Sequence, residues 1–378
     1  MPDRMNSCKV TQFLEDRSGL DRWARDIGLS DGENASQVFK KLVSQEVDID
    51  LLGRLIKILE RLLPLYGEAD RLLVTLGRFL QAVESPLSTI ALFEHEPEAL
   101  EALLAILATS PFLGEIVIAE PDVWERIRSG GGRPEKRESL RDILRSEVGD
   151  SLDSAFVMQV LRRFKRREIL RVAYGDIVKH QRLETVVDQI SAIADCIIDE
   201  ALRVALLQQQ QRRGSPITGD GRPATITVIA LGKLGGNELN YSSDIDLVFC
   251  YSEDGDIAGS KTCTTSEFFE RVVQEVTRLI ADQTELGAAY RVDLRLRPYG
   301  GQGPLVLPRV ALERYYDRQG RTWERQAWVK ARCVAGDLQL GEDLLANLRP
   351  WVYSRWLPRT EISGIRALKR QIERRSIR

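Results

Sequence analysis

Residues 232–249 read GKLGGNELNYSSDIDLVF, and this stretch decides how the rest of the chain is interpreted. A short apolar run at residues 225–231 precedes it, with the length and β-branched content of a buried strand. A glycine turn ending at Gly236 follows, and a second apolar run extends from Asp244 to Tyr251. These features predict two strands joined by a glycine-rich connection.

Two aspartates, Asp244 and Asp246, open the second predicted strand. Side chains alternate between the faces of a strand, so both carboxylates project together while Ile245 and Leu247 point into a core. Adjacent carboxylates repel each other unless a cation lies between them, and hard oxygen ligands suit Mg²⁺. The pair therefore predicts a magnesium site.

The glycine turn is the candidate phosphate site. Glycine lacks a Cβ, so its backbone can approach a phosphate closely and offer N–H groups to it. We expect Gly232, Gly235 and Gly236 to hold nucleotide phosphates in this way. Ser242 and Ser243 could add hydroxyl contacts, or Ser243 could simply shape the entry to the strand.

A third strand is predicted at residues 289–296. Alternation places Arg291, Asp293, Arg295 and Arg297 on one face. Asp293 would then complete a metal-binding triad with the two earlier aspartates, and the arginines would neutralise phosphate oxygens through forked hydrogen bonds. The alternative is an exposed strand face with internal ion pairs.

The motifs together resemble a known enzyme family. Gly-Gly followed by Asp-x-Asp resembles the nucleotidyltransferase superfamily typified by DNA polymerase β, and GKLGGNELNYSSDIDL resembles the bifunctional glutamine synthetase adenylyltransferase/adenylyl-removing enzymes. The resemblance implies an α+β, mostly α fold, with a polymerase-β-like nucleotidyltransferase unit inserted between helical regions. It also implies Mg²⁺ bound by Asp244, Asp246 and Asp293, with nucleotide (ADP or ATP) and inorganic phosphate as substrates or products.

Enzymes of this family carry two such catalytic units. One removes AMP from a tyrosine of glutamine synthetase by phosphorolysis and releases ADP, and the other attaches AMP from ATP. The strings YRVDLRLRPYGGQGPLV and YYDRQGRTWERQAWVKAR resemble the adenylyl-removing, N-terminal unit, and the helical residues before the motif agree with that position. The alternatives are ATP-dependent adenylylation and a non-catalytic nucleotide-sensing module. The resemblance alone implies adenylylated glutamine synthetase as the protein substrate and a PII signalling protein as regulator.

Three regions are predicted along the chain: a helical region at 1–212, the catalytic domain at 213–307 and a helical region at 308–378 that we expect to be truncated. Leucine and isoleucine spacings of three and four residues predict the helices. The main predicted helices span residues 51–65, 71–83, 151–173, 183–211, 264–282, 312–317, 322–332 and 362 onward.

Two features outside the motif need separate interpretation. Residues 161–171, LRRFKRREILR, carry six basic residues and one acid, which indicates either a face that meets phosphate or an acidic partner, or the solvated side of a helix. Asp48 and Asp50 repeat the D-I-D pattern without a glycine turn. We expect Asp50 to cap the following helix or to interact with its dipole.

Composition narrows the class of protein. The formal net charge of the 378 residues is -2, so no overall field recruits nucleic acid or an anionic membrane. No apolar segment has the length of a membrane span, and the N-terminus lacks a signal-peptide core. The cysteines are scattered and odd in number, which predicts reduced thiols in the cytoplasm. They are Cys8, Cys196, Cys250, Cys263 and Cys333.

Overall fold

The computed structural model describes residues 16–30, 32–44, 47–258 and 263–354, together with positions 363, 366, 369, 370 and 374. The chain forms two compact units, Met1–Pro134 with Arg166–Leu183, and Glu135–Lys165 with Glu184–Arg378. The predicted α+β, mostly helical fold is confirmed. None of the helices in the described part combines the length and apolar character that a bilayer crossing needs.

All the regular secondary structure in the described residues of the first unit is helical. Proline occupies the first turn of four successive helices, where its missing N–H costs nothing. The helices predicted at 51–65 and 71–83 are confirmed, the first ending in a short 3₁₀ turn. The helices are Arg17–Asp26, Gly32–Ser44, Ile49–Leu62, Ala69–Ala82, Pro86–His95, Pro97–Thr109, Pro111–Ala119 and Pro121–Gly130.

The D-I-D sequence at residues 48–50 lies at the start of a helix. Asp48 is the N-cap, and its carboxylate accepts a hydrogen bond from the Leu51 N–H at 3.0 Å. Asp50 lies in the first turn, where a negative charge interacts favourably with the helix dipole. The expectation that Asp50 itself could be the cap is therefore wrong, whereas the dipole interpretation agrees with its position.

The second unit combines helices with two small sheets. The long helix Ser154–Ile177 contributes its beginning to this unit and its end to the other. The remaining helices are Arg137–Val148, Leu183–Arg213, Gly232–Gly235, Thr265–Ala281, Arg309–Gln319, Thr322–Trp328 and Leu338–Val352. The strands are β1 (Pro216–Thr218), β2 (Ile226–Ala230), β3 (Ile245–Tyr251), β4 (Gly255–Ile257), β5 (Val292–Asp293), β6 (Val306–Pro308) and β7 (Arg332–Gly336).

Strand β3 is the centre of the main sheet. It pairs antiparallel with β2, which pairs antiparallel with β7 on its other side. Along the opposite edge of β3 lie two short parallel partners, β5 beside its first residues and β6 beside its last. Every residue of β3 is buried except Asp246, which is half-buried. Strands β1 and β4 form a separate antiparallel pair.

Helices cover both faces of this sheet, which is why β3 reads as a nearly continuous apolar run. Val248 and Cys250 belong to a core cluster with Tyr316 and Trp328. On the other face, the ring of Tyr251 stacks on Phe269 with ring centroids 5.0 Å apart. The helix Thr265–Ala281 that carries Phe269 has its predicted apolar stripe buried and begins with a capping box between Thr264 and Glu267.

The structure departs from the predicted elements at several places. The third strand is only Val292–Asp293 rather than 289–296, and the helix predicted at 322–332 ends at Trp328. Strand β7 and the helix Leu338–Val352 were not predicted. Since β7 pairs with β2, the sheet extends past the domain boundary predicted at residue 307. Most of the basic helix predicted from residue 362 onward lies outside the described residues, and Cys8 lies outside them as well.

Candidate active site

The parallel pairing of β3 with β5 brings the three predicted aspartates together. Asp246 is the register partner of Asp293, and Asp244 directly precedes β3. The pairing is reinforced by the N–H of Ile245, which donates to the carbonyl of Arg291 at 3.0 Å. Residues separated by almost fifty positions in the sequence thus meet at one end of the central strand.

Asp246 carries the electrostatic cost of this arrangement. Burial raises its pKa to about 6, and repulsion from Asp293 and then Asp244 adds to the effect. Arg295 offsets part of the repulsion. A carboxylate with a raised pKa beside two further carboxylates is typical of a functional site, because a folded core gains nothing from the cluster itself.

Two exposed arginines lie against the outer aspartates. Arg291 donates from Nε to the carboxylate of Asp244. Arg295 donates to Asp293 through its backbone N–H at 2.8 Å and through Nε at 3.0 Å, and these hydrogen bonds lower the pKa of Asp293. The two arginine side chains are 75% and 81% exposed, so their guanidiniums line the opening of the site.

Arg297 does not join this face. Its side chain is buried, and its Nε and Nη2 atoms donate to backbone carbonyls of the loop that follows, among them Gly303 at 2.9 Å and Pro304 at 2.9 Å. It also reaches the carbonyl of Leu294 at 2.8 Å. Strand alternation predicted otherwise because the strand was taken to continue past Asp293. In this structure Arg297 braces the loop, and phosphate binding by Arg297 has no support from the geometry.

Gly232 leaves room above the central carboxylate. Its φ of +57° lies in the left-handed region, and a Cβ at this position would be 2.7 Å from Oδ2 of Asp246. Gly235 is required for a different reason, since a Cβ there would lie 2.3 Å from the carbonyl oxygen of Lys330. The glycine turn is therefore packed against both the aspartate strand and the segment that leads into β7.

Two backbone amides of the glycine turn already donate hydrogen bonds within the chain. The N–H of Gly235 donates to the Leu231 carbonyl at 3.0 Å, and that of Gly236 donates to the Gly232 carbonyl at 3.2 Å. Contact between these two amides and a phosphate would require the short helix to open. Phosphate binding at the three glycines stays a prediction.

The two serines lie at the entry to β3. The hydroxyl of Ser243 bonds the side chain of Asn240, which favours the turn-shaping interpretation of this residue. Ser242 is exposed, and its carbonyl accepts from Arg291 at 3.3 Å. A hydroxyl contact from either serine to a ligand stays a prediction.

The chemistry of the aspartates fits Mg²⁺, but their present orientation does not assemble a coordination shell. No group of three or more His, Cys, Asp or Glu side chains that could hold a metal ion occurs among the residues that the structure describes, and Asp244 and Asp293 each pair with an arginine. Three neighbouring carboxylates are nevertheless the hard oxygen donors that Mg²⁺ requires. The raised pKa of Asp246 and the space that Gly232 leaves beside it are the observations that favour a cation there.

Sequence reasoning missed the group that anchors the glycine turn. Arg332 on β7 donates to the buried carboxylate of Asp195 at 2.7 Å and to the carbonyl of Leu234 at 3.0 Å. Arg137 also pairs with Asp195. The signal was present, since Asp195 is a single acid inside the apolar run Ile193–Ile198 of a long helix and is 1% exposed. A buried lone carboxylate needs a cationic partner.

Comparison with known proteins agrees with the geometry. A family profile described as glutamate-ammonia ligase adenylyltransferase matches residues 100–347. The chain belongs to this family. The matched range contains the glycine turn, the three aspartates and β7, and it ends within the helix Leu338–Val352.

Among the relatives of this glutamate-ammonia ligase adenylyltransferase family member are three proteins named bifunctional glutamine synthetase adenylyltransferase/adenylyl-removing enzyme. Identity is 38% over 287 residues for Thioalkalivibrio sulfidiphilus, covering 75% of this chain and 29% of the relative. Identity is 38% over 304 residues for the Pseudomonas aeruginosa relative, covering 79% of this chain and 31% of the relative. It is 39% over 292 residues for Pseudomonas syringae pv. tomato, covering 75% and 29%. The chain thus aligns with less than a third of the length of these relatives.

Proposed function

We propose that this chain removes AMP from an adenylylated tyrosine of glutamine synthetase by phosphorolysis and releases ADP. The observation that carries the proposal is the parallel pairing of β3 with β5, which sets Asp246 beside Asp293. Asp244 lies two residues before Asp246, directly before β3. Family membership supplies the reaction class, nucleotidyl transfer. The direction of transfer rests on the sequence resemblance to the adenylyl-removing pattern.

The proposed reaction balances as a displacement at phosphorus. An oxygen of inorganic phosphate forms a bond to the phosphorus of the tyrosine-bound AMP, and the bond from that phosphorus to the tyrosine oxygen breaks. ADP leaves, and the tyrosine oxygen takes up a proton. Such transfers depend on positioning and charge neutralisation, so the chain need not supply a covalent nucleophile.

The residues divide between two tasks. Asp244, Asp246 and Asp293 would hold Mg²⁺, which when bound would neutralise charge on the phosphorus-bound oxygens of the transferred adenylyl group. Arg291 and Arg295 would then leave the aspartates and donate forked hydrogen bonds to phosphate oxygens. Their high exposure at the opening of the site supports this exchange, since neither guanidinium is locked by packing.

The proposal includes partners and location. Adenylylated glutamine synthetase is the protein substrate, a PII signalling protein is the regulator that the resemblance implies, and the location is the cytoplasm. A purely nucleotide-sensing module fits the site less well. Binding alone gives no reason to maintain three neighbouring carboxylates, among which the pKa of Asp246 is raised by burial and then by repulsion from Asp293 and Asp244.

The experiment is incubation of adenylylated glutamine synthetase with this chain, Mg²⁺ and inorganic phosphate, followed by nucleotide analysis. We expect ADP only when phosphate is present, with loss of ADP formation in Asp246→Asn. The matched control is Asp256→Asn, an exposed strand aspartate in the same unit, which should keep full activity. Transfer of AMP from ATP to unmodified synthetase, with no phosphorolysis, would show the opposite direction and overturn the proposal.

A further inference from the structure

Arg162 belongs to the arginine-rich segment of the helix Ser154–Ile177 but is 1% exposed. Its guanidinium donates to the carbonyl of Leu279 at 2.9 Å, to that of Gly287 at 2.7 Å and to that of Asp282. The helix Thr265–Ala281 ends here, and the last carbonyls of a helix lack partners within it. Arg162 therefore ties the end of that helix to the turn that follows.

Lys165 lies one helical turn further along the same face. Its ammonium donates to the carbonyl of Ala289, and Nζ lies 3.9 Å from the ring centroid of Tyr290. Ala289 is held from the other side as well, because its N–H donates to the carbonyl of Ile280 at 2.9 Å. The backbone at residues 289–290 is thus clamped between the helix Thr265–Ala281 and the basic helix.

The clamped segment leads directly into the active strand. Arg291 follows Tyr290, its carbonyl accepts from Ile245, and Asp293 comes two residues later opposite Asp246. β5 has only two paired residues, so its own ladder gives it little stability. Its position consequently depends on the contacts that hold the chain just before it.

We propose that Arg162 and Lys165 are positioning residues for the three-aspartate site, holding residues 287–290 so that Asp293 lies beside Asp246. The inference deepens the proposed function and rests on it for the metal site and for the kinetic readout. It also gives two cations of the basic segment a role that neither interpretation of that segment assigned to them. These two cations point into the unit and use their donors on backbone carbonyls, so they are unsuited to binding phosphate or an acidic partner.

The test compares Lys165→Met with Arg163→Met. Methionine keeps an aliphatic stem and removes the ammonium, and Arg163 is an exposed cation two positions earlier on the same helix. Cation binding is measured with Mn²⁺ by electron paramagnetic resonance, since carboxylate sites accept Mn²⁺ as they accept Mg²⁺. Thermal unfolding, kcat and the KM for adenylylated glutamine synthetase are measured on the same proteins.

For Lys165→Met we expect Mn²⁺ binding to weaken about tenfold and kcat to fall on the order of tenfold to a hundredfold, with KM unchanged, because a small misplacement of a reactive group costs that much. Arg163→Met should match the wild type in every measurement. A Lys165→Met protein with wild-type Mn²⁺ affinity would overturn the inference. So would an equal loss of Mn²⁺ affinity in Arg163→Met, because the effect would then not depend on the contacts that Arg162 and Lys165 make with residues 287–290.

A second variant covers the case in which Lys165→Met does not fold. Arg162→Lys keeps the buried positive charge but cannot reach several carbonyls at once, so it should weaken Mn²⁺ binding in the same direction. Because Mn²⁺ binding is independent of turnover, the two proposals fail separately. If the wild-type protein forms no ADP but the variants bind Mn²⁺ more weakly than the wild type does, the phosphorolysis is rejected and the positioning role is kept.

Discussion

Replacing Asp246 by asparagine should abolish activity and at the same time stabilise the fold. Burial and the neighbouring Asp293 and Asp244 raise the pKa of Asp246 from 3.8 to about 6. Between these two values the unfolded chain is ionised at this residue while the folded chain keeps its proton. The folded state therefore loses stability as the pH rises from about 4 to about 6, and the loss is complete above that range.

The size of the effect follows from the same values. The difference between 3.8 and about 6 corresponds to roughly 3 kcal/mol as a ceiling. Because Asp246 is only half-buried, solvent screening reduces this figure, and we expect about 1–2 kcal/mol. Asparagine carries no charge at any of these pH values, so Asp246→Asn avoids the cost.

The assay measures the free energy of unfolding of the wild type and of Asp246→Asn by urea titration in the presence of a metal chelator, at a pH of about 4 and at a pH of about 8. The variant should be more stable at the higher pH, and the advantage should shrink at the lower one. Asp256→Asn, the exposed control, should show no such pH-dependent gain. Mg²⁺ should narrow the gap at high pH by stabilising only the wild type. Equal stability of wild type and Asp246→Asn at a pH of about 8 would refute the electrostatic reasoning.

Two further substitutions test the surroundings of Asp246. Gly232→Ala should destabilise the fold by about 1–2 kcal/mol, because alanine is strained at a φ of +57° and its Cβ would approach the carboxylate of Asp246. Gly219→Ala, where a Cβ meets nothing within 4 Å, is the control in the same urea titration, and equal losses would contradict the steric argument. Arg295→Gln should tighten Mn²⁺ binding several-fold, since it frees Asp293 from a competing cation, and should raise the KM for phosphate. Calorimetry and phosphate kinetics would decide this, and weaker Mn²⁺ binding would speak against the proposed exchange of partners.

The sequence by itself determined the elements whose signals are local. Strands β2 and β3 were readable because each is a short apolar run bounded by glycine or aspartate, and the helix Thr265–Ala281 because its apolar stripe repeats every three to four residues. The meeting of Asp246 with Asp293 was also predicted, since two acidic strand positions in one small α/β unit favour a shared site.

Only the tertiary structure decided where the third strand stops and what each basic residue does. Arg295 and Arg297 are two residues apart, so strand alternation predicts the same face for both. In the structure, Arg295 is exposed and pairs with Asp293, whereas Arg297 is buried and donates to loop carbonyls. Likewise Arg162 is buried whereas its neighbour Arg163 is exposed. A long cationic side chain takes its partner from whatever backbone or carboxylate folding brings near it. Pairing between segments far apart in the sequence therefore sets its role, and residue type alone does not.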